Sequence, residues 1–325
     1  MLGKFSIKLL IIIIIICVNS LLAFNINHEK IADLPFFRYE MYDNDTITFY
    51  MSNNIKQSNI PLVVYIQGSG SNSLFSLRNN KIIPSMGHYS WYKNSKDFAR
   101  FLIIEKPGVE FLQKETSNDF NSRFCLESWC ERIKKVLIYV IENENIDKNK
   151  ILLAGHSEGG LVVSKVAKEM NNTVSNVAIL AGGGISQLYC LYKLAEKGEF
   201  FGDEPDSDAR KKIVLDNWAE ILKDSSNVNK QFMGHSYLRW SSFLKTSVID
   251  ELDKYDGKIL LIQGGQDKAV FPESVNIAYL DLLSKGKNVK LMFIENADHS
   301  FNDISGNIQN GWDETIKIVM EWFKE

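Results

Sequence analysis

The sequence predicts an α/β protein with a mostly parallel sheet that is covered by helices on both faces. Six short apolar runs alternate with segments of helical spacing, and this alternation is typical of parallel sheets. One of the runs leads directly into Gly155-His-Ser-Glu-Gly159, and a helical pattern follows it. A sharp turn of this kind between a buried strand and a helix can hold a projecting serine. The sequence therefore predicts both a layered fold and a candidate site at one strand end.

The predicted elements follow one another in a simple order along the chain. A hairpin is expected over residues 36–51, and the six apolar runs of the parallel sheet come after it. These strands are residues 61–66, 100–105, 150–154, 176–181, 258–263 and 289–294. Helices lie between them, including one over about residues 273–285. The last helix has an apolar face formed by Trp312, Ile316, Val319, Met320 and Phe323.

Composition and charge exclude several classes of protein. The 325 residues are 45% hydrophobic and 24% charged, which is ordinary for a globular chain. The formal net charge is −3 and no basic patch with interleaved aromatic residues occurs. Nucleic acid is therefore not expected as a partner. The five histidines are dispersed without metal-ligand spacing, so neither a metal nor a cofactor is predicted.

The first 23 residues are predicted to be a secretory signal peptide. Residues 1–8 are short and basic, residues 9–18 are almost purely aliphatic, and residues 19–23 supply small side chains. The apolar core is short for a membrane span, which needs about 20 residues. We therefore expect export to the periplasm or the medium, with no stable membrane span in the mature chain. The alternative is a retained membrane anchor over residues 9–23.

Export would change how the cysteines behave, because disulfides persist outside the cytosol. Cys125 and Cys130 flank the start of an amphipathic helix and are close enough in sequence to close a small loop. A bridge between them is expected, and the alternative is two buried thiols. Cys190 would then remain as a free thiol.

Ser157 is the candidate nucleophile. The strand before it and the helix after it place it at the tip of a turn, in strained backbone geometry. Side chains at Gly155 or Gly159 would collide with the neighbouring strand and helix, which explains glycine at both positions. The strain leaves the serine hydroxyl projecting beside the first N–H groups of a helix.

A nucleophilic serine needs a base and an acid that orients the base. On a fold of this type the partners follow in the chain order Ser, Asp or Glu, and His, each just past a strand. Asp267 follows the strand at residues 258–263, and His299 follows the strand at residues 289–294. Each residue alone would be an ordinary loop residue. Three candidates in this order, each at a strand end, favour a catalytic triad.

The chain resembles the α/β-hydrolase family, and specifically its dienelactone-hydrolase and prolyl-oligopeptidase-like branch. Three segments carry the resemblance most closely, namely residues 155–160, 263–267 and 297–301. Residues 65–70 look like the oxyanion loop after the third strand of the family. Residues 104–108 are similar, more loosely, to its Pro-Gly turn after the fourth strand. The resemblance extends from about residue 36 to the C-terminus.

This resemblance implies an α/β-hydrolase domain over residues 24–325 and a role for each candidate. Ser157 would be the nucleophile, His299 the general base and Asp267 the acid that orients it. Gln67 is a departure, because many members have histidine at its position. The departure should not abolish catalysis, since the backbone supplies the key donor there.

An oxyanion hole is expected beside Ser157, because acyl transfer develops negative charge on the substrate carbonyl oxygen. One donor should be the backbone N–H of Glu158. The other should be the backbone N–H of Ser69, in the Gly68-Ser-Gly70 loop. The Glu158 side chain has two possible roles. It could favour the helix start electrostatically, or it could point into the site and attract amine-bearing substrates.

Residues 185–255 are too long for a simple crossover between two strands, and they are rich in large aromatic side chains. They follow the sixth strand, where the family commonly inserts a helical lid. Four aromatic residues are predicted to contribute to the substrate wall, namely Trp218, Tyr237, Trp240 and Phe243. The alternative is that these side chains form the interior of the lid.

The function expected from these features is a serine hydrolase that cleaves a carboxylic ester of a small substrate through an acyl-enzyme on Ser157. A peptidase or amidase of the same fold is one alternative, because fold analogy cannot choose between ester and peptide bonds. A short peptide is therefore the alternative substrate. A catalytically silent binding protein is the other possibility, and retention of all three triad candidates weighs against it.

Overall fold

A nine-stranded sheet passes through the centre of the part of the chain described by the computed structural model, which is residues 25–42, 45–53, 58–306 and 310–325. Its strands are β1 (Asn25–Lys30), β2 (Phe36–Tyr42), β3 (Thr46–Ser52), β4 (Ile60–Ile66), β7 (Arg100–Ile104), β8 (Ile146–His156), β9 (Asn176–Leu180), β12 (Lys258–Gly264) and β13 (Val289–Ile294). Across the sheet they follow the order β1-β2-β3-β7-β4-β8-β9-β12-β13. Two small hairpins lie outside it, β5 (Phe75–Arg78) with β6 (Lys81–Pro84), and β10 (Gln231–Phe232) with β11 (His235–Ser236).

The helices within the described residues lie on both faces of this sheet and in the segment between β9 and β12. They are α1 (His88–Ser95), α2 (Asn118–Arg123), α3 (Leu126–Asn143), α4 (Glu158–Glu169), α5 (Gln187–Lys197), α6 (Ser207–Lys223), α7 (Tyr237–Phe243), α8 (Val248–Leu252), α9 (Glu273–Ser284) and α10 (Gly311–Lys324).

Six neighbouring strands run parallel to one another, namely β7, β4, β8, β9, β12 and β13. The other three strands, β1, β2 and β3, form an antiparallel edge beside β7. These parallel strands coincide with the six apolar runs, so the predicted α/β-hydrolase fold is confirmed. Alternate residues of β4 show why the runs are continuous. Leu62 and Val64 pack with α3 and α4 on one face, and Val63 and Tyr65 pack with α1 and α10 on the other.

The antiparallel edge contains one strand that the sequence pattern does not indicate. The predicted hairpin is present as β2 and β3, but β1 adds a further strand beside β2. Its sequence, Asn-Ile-Asn-His-Glu-Lys, has no apolar alternation. An edge strand of this kind is specified by backbone pairing with its neighbour, and single-sequence periodicity does not detect it.

The expected disulfide between Cys125 and Cys130 is not formed, and this is a correction to the sequence prediction. Cys125, Cys130 and Cys190 are all free thiols in the structure. The Sγ atom of Cys125 accepts a hydrogen bond from the backbone N–H of Ser128 and caps α3. The Cys130 thiol lies on the buried face of the same helix and approaches the carbonyl of Val162. The two side chains therefore make separate contacts at the start of α3.

The predicted signal peptide lies outside the described residues. Within the ranges that the structure describes, no helix combines the length and apolar character that a membrane crossing requires.

Candidate active site

Ser157 occupies the single residue between the end of β8 and the start of α4. Its backbone has φ 54° and ψ −124°, a conformation that costs a residue with a Cβ about 1–3 kcal/mol. Two backbone hydrogen bonds hold it there. Its N–H donates to the carbonyl of Leu180 at 2.9 Å, and its own carbonyl accepts from Gly160 at 2.9 Å. The strained turn that the sequence predicts is therefore present at Ser157.

The glycines around Ser157 permit a close approach of backbone segments. A Cβ at Gly155 would lie 2.2 Å from the carbonyl oxygen of Gly159, and one at Gly159 would lie 2.4 Å from that of Ile66. Both contacts are with backbone and cannot be relieved by moving a side chain. Glycine at these two positions lets α4 start directly against β8 and β4.

Asp267 and His299 meet at the carboxyl ends of the neighbouring parallel strands β12 and β13. His299 Nδ1 lies 2.8 Å from Asp267 Oδ2. Because a carboxylate only accepts hydrogen bonds, this contact assigns the proton to Nδ1 and leaves Nε2 as the free acceptor. The Asp267 side chain is fully buried, whereas that of His299 is 26% exposed.

Three further donors hold the Asp267 carboxylate in place. Gln263 Nε2 donates to Oδ2 at 2.8 Å, and the backbone N–H groups of Ala269 and Val270 donate to Oδ1 at 2.8 and 2.9 Å. Gln263 is the residue before the end of β12, so its side chain reaches Asp267 from the strand itself. The sequence analysis assigned no role to this glutamine.

His156, the residue before Ser157, positions the loop of His299. Its Nε2 lies 3.0 Å from the backbone carbonyl of His299, so Nε2 carries the proton and donates. Burial is the main cause that lowers the pKa of His156 to about 4, and the neighbouring His299 lowers it further. This imidazole is therefore neutral at physiological pH and serves as a fixed hydrogen-bond donor.

The loop after β4 carries Ser69, one of the two predicted oxyanion donors, and it is held by Lys106. The Lys106 ammonium donates to the carbonyls of Gly68 at 2.5 Å and Gly70 at 2.7 Å, on either side of Ser69. Its Nζ also lies over the rings of Trp129 and Phe124, at 4.7 and 5.3 Å from their centroids. Burial lowers the pKa of Lys106 well below its usual range.

The residue before Lys106 fixes the next part of the same loop. Glu105 is fully buried and accepts hydrogen bonds from the Tyr50 hydroxyl, the Ser73 hydroxyl and the N–H of Leu74. Burial raises the pKa of Glu105 to about 7, against the hydrogen bonds that lower it. Glu105 and Lys106, which follow β7, therefore hold the two ends of residues 68–74.

Two cavities meet at Ser157, and both are lined by Ser69, Ser157 and His299. The first, here called the lid cavity, has a volume of about 360 Å³. Its apolar wall is formed by Ile185, Leu191, Phe200, Met233, Trp240 and Val270. The second, here called the Trp312 cleft, has a volume of about 370 Å³, and its further lining includes Tyr65, Met86, Gly87 and Trp312.

The four aromatic residues predicted for the substrate wall occupy three different places. Trp240 lines the lid cavity. Trp218 and Tyr237 pack against the apolar cluster inside the 185–255 segment. Phe243 is fully buried in the main core, beside Phe124. The last three therefore do not line the lid cavity, because helical spacing turns them toward the interior of their own segment or toward the sheet.

The sequence profile of the prolyl oligopeptidase family matches residues 130–325, more than half of the chain. The chain belongs to the prolyl oligopeptidase family. It is thus a serine hydrolase of the α/β-hydrolase fold, as the sequence motifs indicated. No curated protein sequence matches the chain significantly.

Solved structures with the same fold include esterases and peptidases. Est1E from Butyrivibrio proteoclasticus is 17% identical with a TM-score of 0.57, over 90% of this chain and 99% of Est1E. The acylaminoacyl peptidase of Pyrococcus horikoshii is 15% identical with a TM-score of 0.59, over 95% of this chain and 43% of the peptidase. A putative dienelactone hydrolase from Klebsiella pneumoniae subsp. pneumoniae MGH 78578 is 10% identical with a TM-score of 0.54, over 93% and 99% of the two chains. At these identities the likeness is one of fold.

In this family member the side chain of Glu158 makes a buried ion pair with Arg239, a residue of α7. The Arg239 guanidinium stacks over the Trp240 ring at 3.9 Å, and burial lowers its pKa to about 9. Two roles were considered for Glu158, and one of them was to attract an amine-bearing substrate. The Arg239 guanidinium already neutralises the Glu158 carboxylate, so a substrate amine is not needed as its partner. The pair joins the 185–255 segment to the residue directly after Ser157.

The sequence analysis missed Lys106, Arg239 and His156, all of which hold the site together. His156 stands inside the recognised motif, and its place beside Ser157 was the available signal. Lys106 lies in the 104–108 segment and Arg239 in the 185–255 segment, but nothing in either segment singled them out, because a lysine or an arginine is ordinarily a surface residue. Among the described residues, no group of three or more His, Cys, Asp or Glu side chains could hold a metal ion.

Proposed function

We propose that this serine hydrolase cleaves a carboxylic ester of a small substrate through an acyl-enzyme on Ser157. The observation that carries the proposal is the 2.8 Å contact between His299 Nδ1 and Asp267 Oδ2, next to a serine at φ 54° that shares both cavities with His299. A solvated loop histidine would not need a buried carboxylate as its partner.

In the proposed reaction, His299 Nε2 takes the Ser157 hydroxyl proton while the oxygen attacks the substrate carbonyl carbon. The negative charge on the carbonyl oxygen is stabilised by the backbone N–H groups of Ser69 and Glu158. The imidazolium, held by Asp267, then donates its proton to the departing alcohol as the carbon–oxygen bond breaks. Water repeats the same steps on the acyl-enzyme and releases the acid.

The lid cavity supports a small acyl group as the part of the substrate that stays on the serine. Its wall is mostly apolar, which suits an uncharged acyl chain. Arg239 and Glu158 neutralise each other in this wall, and burial lowers the pKa of His235 to about 4, so that its imidazole is uncharged. We propose that residues 185–255 act as a lid over this cavity.

Cleavage of a peptide or amide bond is the second candidate function. The match to the prolyl oligopeptidase family is the observation that favours it. The same acyl-enzyme would form from an amide, and the difference lies in the leaving amine, which His299 must protonate. The two functions therefore share every proposed catalytic residue and differ in the leaving group.

The test compares p-nitrophenyl esters of graded acyl length with aminoacyl p-nitroanilides of matched side chains, using the purified mature chain. We expect turnover of short esters and no turnover of the anilides, because an activated ester is cleaved by esterases and peptidases alike, whereas an anilide requires a peptidase or amidase. Ser157→Ala should lose both turnover and fluorophosphonate labelling while unfolding at the wild-type temperature. Labelling that persists in Ser157→Ala would show that the serine is misassigned, and measurable turnover of an anilide would favour the peptidase.

We also propose that the chain is exported after removal of its N-terminal segment. Cleavage after residue 20 or 23 would leave β1 (Asn25–Lys30) intact and able to pair with β2. Intact-mass measurement of the protein recovered from its native cell fraction should show a first residue between 19 and 25. A product that retains Met1 would contradict this proposal.

A further inference from the structure

The Trp312 cleft and the lid cavity extend from Ser157 as two separate arms. They share Ser69, Ser157 and His299, and their remaining lining residues are different. In an ester or amide bound at Ser157, the acyl chain and the leaving group diverge from the same carbonyl carbon. If one of them occupies the lid cavity, the other therefore extends into the Trp312 cleft.

The order of release decides which part occupies which arm. In a serine hydrolase the leaving group departs and water enters while the acyl group is still attached to the serine. The lid cavity is lined largely by the 185–255 segment, which the buried pair of Arg239 and Glu158 fixes to the nucleophile turn. The Trp312 cleft is bordered by Gly87 and Ser300, which are exposed at the surface. It is thus the arm through which exchange can occur.

The surface of the Trp312 cleft is aromatic and uncharged. Trp312 Nε1 donates to the backbone carbonyl of Gly87 at 3.1 Å. The Tyr65 hydroxyl lies 3.4 Å from the backbone carbonyl oxygen of Met86. The polar atoms of both rings thus have backbone partners. Tyr65 is only 1% exposed, so the aromatic surface that the cleft offers a ligand is mainly that of the half-buried Trp312. Among the described residues that line the cleft, none is Asp, Glu, Lys or Arg; its two histidines are the neutral His156 and the proposed base His299.

We propose that the Trp312 cleft binds the leaving group of the substrate, and that this group is an alcohol or amine carrying an aromatic ring. The proposal rests on the function proposed above. The Trp312 ring is held in place by edge contact with His156 at 5.0 Å and by stacking on Phe301 at 6.2 Å between centroids. A fixed indole beside an open cleft favours a flat ring over an aliphatic chain.

The test uses Trp312→Leu, with Trp312→Phe as the matched control. Both variants lose the hydrogen bond to Gly87, and Trp312→Phe keeps an aromatic ring. The substrates are the benzyl and methyl esters of one acid that the wild-type enzyme accepts. We expect the ratio of kcat/KM for benzyl over methyl ester to fall about three- to tenfold in Trp312→Leu and to remain near the wild-type value in Trp312→Phe.

A second measurement separates this role from binding of the acyl group. The acyl-enzyme no longer contains the leaving group, so its hydrolysis rate should change far less in Trp312→Leu than the benzyl-to-methyl ratio does. Burst kinetics with the p-nitrophenyl ester of the same acid give this rate. A changed deacylation rate with an unchanged benzyl-to-methyl ratio would overturn the proposal and assign the cleft to the acyl group.

Failure of this proposal is distinguishable from failure of the proposed function. Normal ester turnover with an unchanged benzyl-to-methyl ratio in both variants would refute the leaving-group site alone. No turnover of any ester by the wild-type chain would refute the esterase. The same comparison made with benzylamide and methylamide would then decide the inference for the peptidase.

Discussion

Replacement of Lys106 by methionine should impair the proposed oxyanion hole without touching the triad. Methionine keeps an unbranched apolar side chain against the Trp129 and Phe124 rings. It removes the ammonium that donates to the carbonyls of Gly68 and Gly70. The two carbonyls on either side of Ser69 then lose their shared donor.

The expected size of the effect follows from these contacts. A hydrogen bond contributes about 0.5–1.5 kcal/mol when its donor is neutral and about 1.5–3 kcal/mol when its donor is charged. Two such bonds from Lys106 hold the loop in one position. Complete loss of an oxyanion donor lowers kcat by about 10²–10³-fold. Because the Ser69 N–H is displaced and not removed, we expect a fall in kcat on the order of 10²-fold. The Michaelis constant should change by less than about threefold, because the oxyanion forms after binding.

The assay is steady-state hydrolysis of the preferred p-nitrophenyl ester, with the folded state checked by thermal unfolding and near-UV circular dichroism. Lys212→Met is the matched control, because Lys212 is an exposed lysine of α6 whose ammonium pairs with Asp216 one turn later, on the same helix. The control should keep the wild-type kcat. A folded Lys106→Met enzyme whose kcat stays within threefold of wild type would refute the role of Lys106 in holding the loop.

Three further predictions test the acid, the buried glutamate and the lid. Asp267→Asn should lower kcat on the order of 10⁴-fold, as the corresponding change does in the chymotrypsin triad, because the amide no longer holds the proton on His299 Nδ1. Asp298→Asn should keep the wild-type kcat. The reverse result would make Asp298 the acid of the triad. Burial raises the pKa of Glu105 from 4.5 in the unfolded chain to about 7 in the folded protein. The folded protein therefore disfavours the ionised carboxylate, and its stability falls as the pH rises from 4.5 to about 7. Relative to Glu105→Gln, the wild type should lose about 2–3 kcal/mol of unfolding free energy between pH 5 and pH 8, measured by urea denaturation; equal pH profiles would contradict this. Trp240→Ala should change the preferred acyl chain length, whereas Trp218→Ala should lower only thermal stability, and the same substrate profile in both variants would place specificity elsewhere.

The parallel sheet could be predicted from the sequence alone, because its interior strands are buried on both faces and appear as continuous apolar runs. The turn at Ser157 could also be predicted, since the strand, the two glycines and the helix are all local features. The chain order of Asp267 and His299 was informative for the same reason. Each residue lies in the loop that follows a strand, and neighbouring parallel strands bring their carboxyl ends together.

The side chains that hold this site from distant parts of the chain are visible only in the folded protein. Lys106 reaches the Ser69 loop, and Arg239 reaches Glu158, across separations of 36 to 81 residues. Local periodicity carries no information on such contacts, because they depend on which loops meet above the sheet. The same limit applies to Cys125 and Cys130, whose closeness in sequence suggested a bridge. Their side chains diverge at the start of α3, one capping the helix and the other facing the core.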